Sequence, residues 1–332
     1  MNETADMPVN TPADAPWSAP EDSPQGVPPK ISVLICTRNR PQDLVHALPT
    51  VLANDYPDFE VIVVDQSDGR ETAAIVLALQ GCRPALRYVP TETRGLSAAR
   101  NLAVGLAQGE IIAFTDDDCE APPGWVAAIA RVFADNLEFG LIFGQVHMLP
   151  EHLGRDVSVP CLYFDARRIL TRGEVFGMGA NMAFRRSAWD RVGVYDTALG
   201  VGGIFPGGED FDFSYRAQRL GLTTVAEPSV VLVHRAFRTE DRWHAVLRSY
   251  GAGDAAFYAK HARCGDGWAA RVLLARIARA GLRAAAKALL RRRPNNDLCY
   301  LQGLVAGLWR SLGTPVDRQT RFYRPAGGLE RP

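Results

Sequence analysis

Three consecutive aspartates, Asp116, Asp117 and Asp118, follow the apolar run Ile111 to Phe114 and precede the prolines Pro122 and Pro123. Carboxylates held that close disfavour one another's ionisation, so the cluster calls for a compensating cation. Oxygen ligands of this kind suit Mg2+ or Mn2+, which keep several waters and bind through one or two carboxylates together with phosphates. A diphosphate would complete such a site. The plainer alternative is a solvated acidic turn whose aspartates cap a helix starting near Pro122. For the triplet alone both readings stand.

A second acidic pair, Glu209 and Asp210, comes after a segment containing Gly200, Gly202, Gly203, Gly207 and Gly208. Glycines let backbone approach a ligand closely, and the pair opens a predicted helix. On that helix Phe211, Tyr215 and Leu220 fit a buried stripe, with Arg216 and Arg219 toward water. Capping would explain one acid there, not both. A carboxylate at an enclosed helix start can take a proton from a hydroxyl, and Asp212 should face elsewhere.

The elements that must hold these acids are legible as apolar runs. Ile31 to Cys36 reads as a buried parallel strand ending in Thr37 to Arg40, and Val61 to Val64 as another ending in Asp65 to Asp68. A helix is expected around Asp43 to Leu52, a weaker strand at "LRYVP", and a helix over "GLSAARNLAVGLAQG" closed by Gly109. Ile111 to Phe114 is the fourth strand. Strands alternating with helices indicate a mostly parallel α/β sheet flanked by helices, in which ligands gather at the carboxyl ends of strands. The three polar strand ends therefore belong on one edge. Arg100 and Asn101, on the helix before the triplet, read as supporting residues, and Trp125 and Trp189 as packing.

Across the chain, Lys plus Arg and Asp plus Glu both number 37. That balance argues against nucleic acid as a partner. The six cysteines are scattered, without metal or disulfide spacing, and read as reduced thiols. Residues 1–29 form a proline-rich tail expected to be disordered, with neither the basic start nor the apolar middle of a secretory signal. No run reaches the ~18 to 20 apolar residues of a membrane span. A cytoplasmic location is the expectation. Beyond residue 240 helical signals take over, at 243–262, 268–290 and 298–312. Arg276, Arg279, Arg283 and Lys287 share one helical face, Arg291, Arg292 and Arg293 follow, and no acid interrupts 268–293. Such a helix can lie on an anionic membrane surface or pack on the core with its arginines in water. Both readings stay open.

Over residues 30–240, "ISVLICTRNR", "VIVVDQSD", "RGLSAARNLAVGLAQGEIIAFTDDDCEAPPGW" and "GGEDFDFSYRAQRLG", in that order, resemble a family 2 glycosyltransferase of the GT-A fold. The resemblance implies a Rossmann-like catalytic domain at 30–240 and a helical extension at 241–332. It implies inverting, metal-dependent transfer from a nucleotide-diphosphate sugar to a saccharide, lipid-linked or protein acceptor, in surface polysaccharide, glycolipid or glycoprotein synthesis. The location implied is cytoplasmic or peripheral on the inner face of the membrane.

By the same resemblance Asp116, Asp117 and Asp118 form the D-x-D element. Asp118 is the direct metal ligand, joined by Asp116, which also lies near the ribose. Asp65 reads the base edge, while Thr37, Asn39 and Arg94 line the nucleotide. Asp210 is the general base, with Glu209 orienting it or the acceptor. His234 occupies the position of a metal-completing histidine, although a lone His in an apolar setting is otherwise a satisfied core residue. Arg235 and Arg238 are candidates to meet diphosphate. Gln66 departs from the family's usual acid or asparagine, which leaves the nucleotide base open. A sugar nucleotidyltransferase would want glycines after the first strand, where "CTRNRPQ" has none. A non-catalytic nucleotide-sugar or partner-binding module would require the acids to be mere caps.

Overall fold

The computed structural model describes residues 28–81, 84–152, 158–171, 173–290, 293 and 295–324. The expected disordered tail, bar its last two residues, and Cys82, Arg291 and Arg292 lie outside the described residues.

The chain opens with β1 (Ile31–Thr37), α1 (Pro41–Leu52), β2 (Phe59–Asp65), α2 (Glu71–Ala78), β3 (Ala85–Pro90), α3 (Leu96–Leu106) and β4 (Ile111–Asp116). β1 pairs in parallel with both β2 and β4, and β2 with β3. Both faces of β1, β2 and β4 are covered, while β3 is a half-exposed edge. Val33, Ile35, Val61 and Val63 enter one core, while Leu34, Ile62, Val64 and Phe114 enter the other. Two-sided burial explains the unbroken β-branched runs, each such side chain stabilising by roughly 1.5–3 kcal/mol. The register sets Thr37 opposite Asp65 and Cys36 opposite Asp116, so the three polar strand ends share one edge, as expected.

The second half adds β5 (Cys119–Glu120), α4 (Trp125–Asp135), β6 (Phe139–Met148), β7 (Arg168–Leu170), β8 (Met182–Arg185), α5 (Arg186–Val192), α6 (Glu209–Arg219) and β9 (Thr223–His234). The sheet runs β3-β2-β1-β4-β8-β6-β9-β5, with β7 on β9. β8 is antiparallel to β4 and β6, so the sheet is parallel in its first half and mixed beyond.

Two local readings change. Gly109 does not close α3, whose C-cap is Ala107. A Cβ at Gly109 would stand 2.5 Å from the Ser32 backbone nitrogen, so this glycine lets the chain cross close to β1. On α6 the buried residues include Phe213, Tyr215 and Ala217, and Arg216 is buried too rather than solvated. Its guanidinium bonds Asp212 at 3.0 Å and the carbonyls of Val192 and Val194 at 2.6 and 2.8 Å. The helix is covered on more than one side, by α5 and by the C-terminal helices.

Those helices are α7 (Glu240–Arg263), α8 (Gly267–Leu289) and α9 (Asn295–Gly313). Tyr215 of α6 shares an apolar cluster with Phe257, Tyr258, Leu273 and Leu304, which fastens the helical region to the sheet domain. A polar bolt runs alongside. Lys260, fully buried on α7, reaches Asp196 at 2.7 Å and Asp212 at 2.8 Å, and His261 meets Asp212 at 2.8 Å. Among the described residues no helix is long and apolar enough to cross a membrane.

Candidate active site

At the polar edge, Thr37 Oγ1 donates to Asp117 Oδ2 at 2.7 Å. Arg40, just ahead of α1, donates to Asp117 Oδ1 at 2.6 Å and to Asp118 Oδ2 at 2.5 Å. The helix that follows, α4, has Gly124 at its N-cap and no side-chain cap, which removes the capping explanation of the triplet. Arg40 is instead the countercharge that the sequence reading assigned to a cation alone. Burial pushes the Asp117 carboxyl up to about 7, against the pull of Arg40. Burial would raise Asp118 as well, but His234 and Arg40 together hold it below the usual carboxylate range.

β5 pairs with the end of β9 so that Cys119 lies opposite His234. That register brings His234 Nε2 to 3.5 Å from Asp118 Oδ1, and Arg238 to 3.5 Å from Asp118 Oδ2. Burial lowers the His234 imidazole below its ordinary value. Its Nδ1 is buried with no hydrogen-bond partner, so the residue is not a satisfied core histidine. An imidazole nitrogen and a carboxylate oxygen this close are a fitting donor pair for a divalent cation. Cys119 shares the cluster, but its thiol is raised well above the ordinary value by burial and packs in the apolar core. It suits neither Mg2+ nor Mn2+ as a hard-ion ligand. Asp116, expected to be a joint ligand, lies outside that cluster and turns toward Arg100.

The residues expected to line the nucleotide form their own network. Asn39, in a left-handed backbone conformation with φ 55°, donates to Asp68 Oδ2 at 2.8 Å. Arg94 donates to Asp68 Oδ1 at 2.9 Å and to the Gln66 carbonyl at 3.1 Å. Asp68 therefore ties the loop after β1 to the loop after β3. Asp65 is buried, and its two oxygens accept from Ser67 N at 2.8 Å and Tyr88 Oη at 2.7 Å. Gln66 donates to the carbonyls of Thr93 and Gly95, which gives this departure from the family pattern a loop-bracing role.

Asp116, Arg100, Glu209 and Asp210 line one cleft of about 1030 Å3. Thr37, Asn39, Asp65, Arg94, Asp117, Asp118 and His234 are not among its lining residues. Arg100 is 2% exposed and stacks over Phe114 at 5.1 Å and Tyr195 at 5.7 Å. One of its nitrogens bonds Glu209 Oε1 at 3.1 Å, and the other lies 3.8 Å from Asp116 Oδ1. The residue read as a brace thus joins the two acidic motifs directly. Asp210 accepts from the backbone N–H of Gly179 and of Phe211, each at 2.8 Å. Burial raises the Asp210 carboxyl, with Arg100 opposing. Burial and the neighbouring Asp210 charge push Glu209 up to about 7. Asp212 turns away to Lys260, as its spacing predicted. Trp125 and Trp189 are buried packing residues.

A parallel half-sheet whose acidic edge meets a helix-start acid pair across a cleft defines the GT-A type of fold. The mannosyltransferase PcManGT from Pyrobaculum calidifontis, solved in complex with GDP-Man and Mn2+, superposes with a TM-score of 0.61 at 23% identity, covering 90% of this chain and 91% of that one. TarS 1-349 of S. aureus, in complex with UDP-GlcNAc, gives a TM-score of 0.52 at 20% identity, covering 68% and 66%.

Residues 32–193 match the family model described as glycosyl transferase family 2. Among curated relatives, the glucosyl-dolichyl phosphate glucuronosyltransferase of Haloferax volcanii is 26% identical over 52% of this chain and 57% of its own length. The GalNAc(5)-diNAcBac-PP-undecaprenol beta-1,3-glucosyltransferase of Campylobacter jejuni is 30% identical over 35% of this chain and 38% of its own length. The matches thus span between a third and three fifths of these relatives.

Proposed function

We propose that this chain is an inverting, metal-dependent glycosyltransferase that moves a sugar from a nucleotide-diphosphate donor to an acceptor hydroxyl. The observation that supports it best is the pairing of Asp116 and Glu209 through one buried guanidinium, with Asp210 beside them on the same cleft. Neither acid pair is explained by helix capping alone. A sugar nucleotidyltransferase is disfavoured by the family match and by the glycine-free turn after β1.

In this reading the nucleotide lies along the β1, β2 and β3 loops, with Thr37, Asn39, Asp65 and Arg94 around it. Asp118 and His234 would hold the divalent ion, Mn2+ or Mg2+, and Asp116 faces the sugar end of the donor. The bound ion would supply charge neutralisation for the departing nucleoside diphosphate. Arg40 and Arg238, already on Asp118, are within reach to share that task. Asp210 takes the acceptor proton as the acceptor oxygen bonds the anomeric carbon and the carbon–phosphate oxygen bond breaks, its electron pair leaving with the diphosphate. Burial makes Asp210 a stronger base than a solvated aspartate, and its two backbone hydrogen bonds fix its aim. Arg100 limits the repulsion among Asp116, Glu209 and Asp210.

A panel of nucleotide sugars, screened with Mn2+ for thermal stabilisation and for donor turnover, tests the proposal. A donor at about a hundred times its Kd should stabilise the fold by ~2.7 kcal/mol, and EDTA should remove that effect. Absence of metal-dependent stabilisation by every nucleotide tried would sink the proposal.

A further inference from the structure

The cleft continues past Asp116 and Asp210 into the C-terminal helices, where Arg276, Arg279 and Arg283 line it. These are the arginines whose shared face left two readings open, and they line this cleft. Arg276 is neutralised, bonding Asp254 at 2.9 Å and Tyr300 Oη at 2.9 Å. The other acid at that end, Asp297, is engaged by Lys287. Arg279 and Arg283 have no carboxylate partner among the described residues, and they stand one helical turn apart, ~6 Å along α8. The same cleft also carries apolar and aromatic side chains. Trp243, Leu247 and Tyr250 of α7 recur at helical spacing along it.

Two guanidiniums without a carboxylate partner among the described residues, in a cleft that Trp243, Leu247 and Tyr250 also line, suit a phosphoryl group attached to a hydrocarbon chain. We propose that Arg279 and Arg283 form an acceptor subsite for the phosphate or diphosphate of a lipid-linked saccharide, whose sugar hydroxyl then reaches Asp210. This rests on the transferase reading above and adds the acceptor class to it. The subsite is separate from the donor phosphates, which that reading assigns to Asp118, Arg40 and Arg238 at the sheet edge.

The test is a titration of the full chain with geranyl diphosphate, geraniol and inorganic pyrophosphate, with Mn2+, with and without the best-binding nucleoside diphosphate. Geranyl diphosphate should bind at least ~10-fold more tightly than either of the other probes, and Arg279→Gln/Arg283→Gln should lose ~10-fold or more of that affinity. Because both arginines are exposed, the double variant should fold and bind nucleotide as the parent does. Arg279→Lys/Arg283→Lys should recover part of the loss. Equal affinity in parent and double variant overturns the subsite. If pyrophosphate binds as well as geranyl diphosphate, the lipid assignment fails. Binding only to phosphatidylglycerol vesicles, with no affinity for geranyl diphosphate, would make the arginines a membrane contact and also overturn it. Failure of every nucleotide to bind would instead strike the transferase reading.

Discussion

Asp210 is held by two backbone N–H groups and is raised by burial, so its geometry survives a change of charge better than its chemistry does. Asp210→Asn should cut transfer by ~10² to 10⁴ while nucleotide affinity stays within about twofold. Initial rates set beside a nucleotide titration check this, and near-normal turnover would remove Asp210 as the base. Arg100 makes a different prediction. Arg100→Gln leaves Glu209 and Asp116 without their shared cation, and breaking a buried pair typically costs ~3–5 kcal/mol. Adding Glu209→Gln should restore part of that stability, measurable as the denaturant midpoint of the single and double variants. The acids themselves were legible, because runs of aspartate after a buried strand and an E-D pair at a helix start are local patterns. Arg40 and Arg100 were not recognised as their partners. Each meets its acids only once β1 and β4 align and α6 docks, and nothing in the residue spacing encodes that meeting.

Among the elements, the parallel strands could be read because burial on both faces leaves continuous apolar runs. β8 could not, being a four-residue strand, Met182–Arg185, whose pairing depends on long-range closure. The exposure of Arg216 on α6 was misread for a related reason, since a helix covered by neighbours on several sides loses the single-stripe pattern. Its docking turns on glycine. A Cβ on Gly253 of α7 would come 2.5 Å from the Gly207 carbonyl carbon, and Gly207 and Gly208 lead directly into Glu209. Overpacking of this kind usually costs ~1–3 kcal/mol. Gly253→Ala should therefore shift the start of α6 and lower transfer several-fold, with nucleotide binding on the far loops intact. Gly105→Ala, in α3, meets no atom within 4 Å and should be neutral or slightly stabilising. Paired kinetics and melting curves for the two variants check the contrast.

For the molecule as a whole, acid stability reflects opposing groups. Burial lowers His261 to about 4, despite the opposing pull of Asp212. Unfolded, the same imidazole takes a proton near its ordinary 6.5, so between those values the unfolded chain binds more protons and stability falls as pH drops. A shift of that size corresponds to roughly 3 kcal/mol, fully present above about 6.5 and lost by about 4. Asp212 is depressed by Lys260 and Arg216, in spite of burial, and extends the loss to still lower pH. Asp117 and Glu209 act in the other direction. Both are pushed up to about 7 by burial, so they lose stability as pH rises through that value. The parent's net curve is therefore flatter than either set alone would give. The His261 contribution can still be isolated by difference, comparing the parent with His261→Gln by urea unfolding from pH 4 to 7. The variant should lose less stability than the parent as pH falls from 6.5 to 4. Parallel curves would mean that the imidazole titrates alike folded and unfolded, and that the buried link between α6 and α7 does not make the fold acid-sensitive.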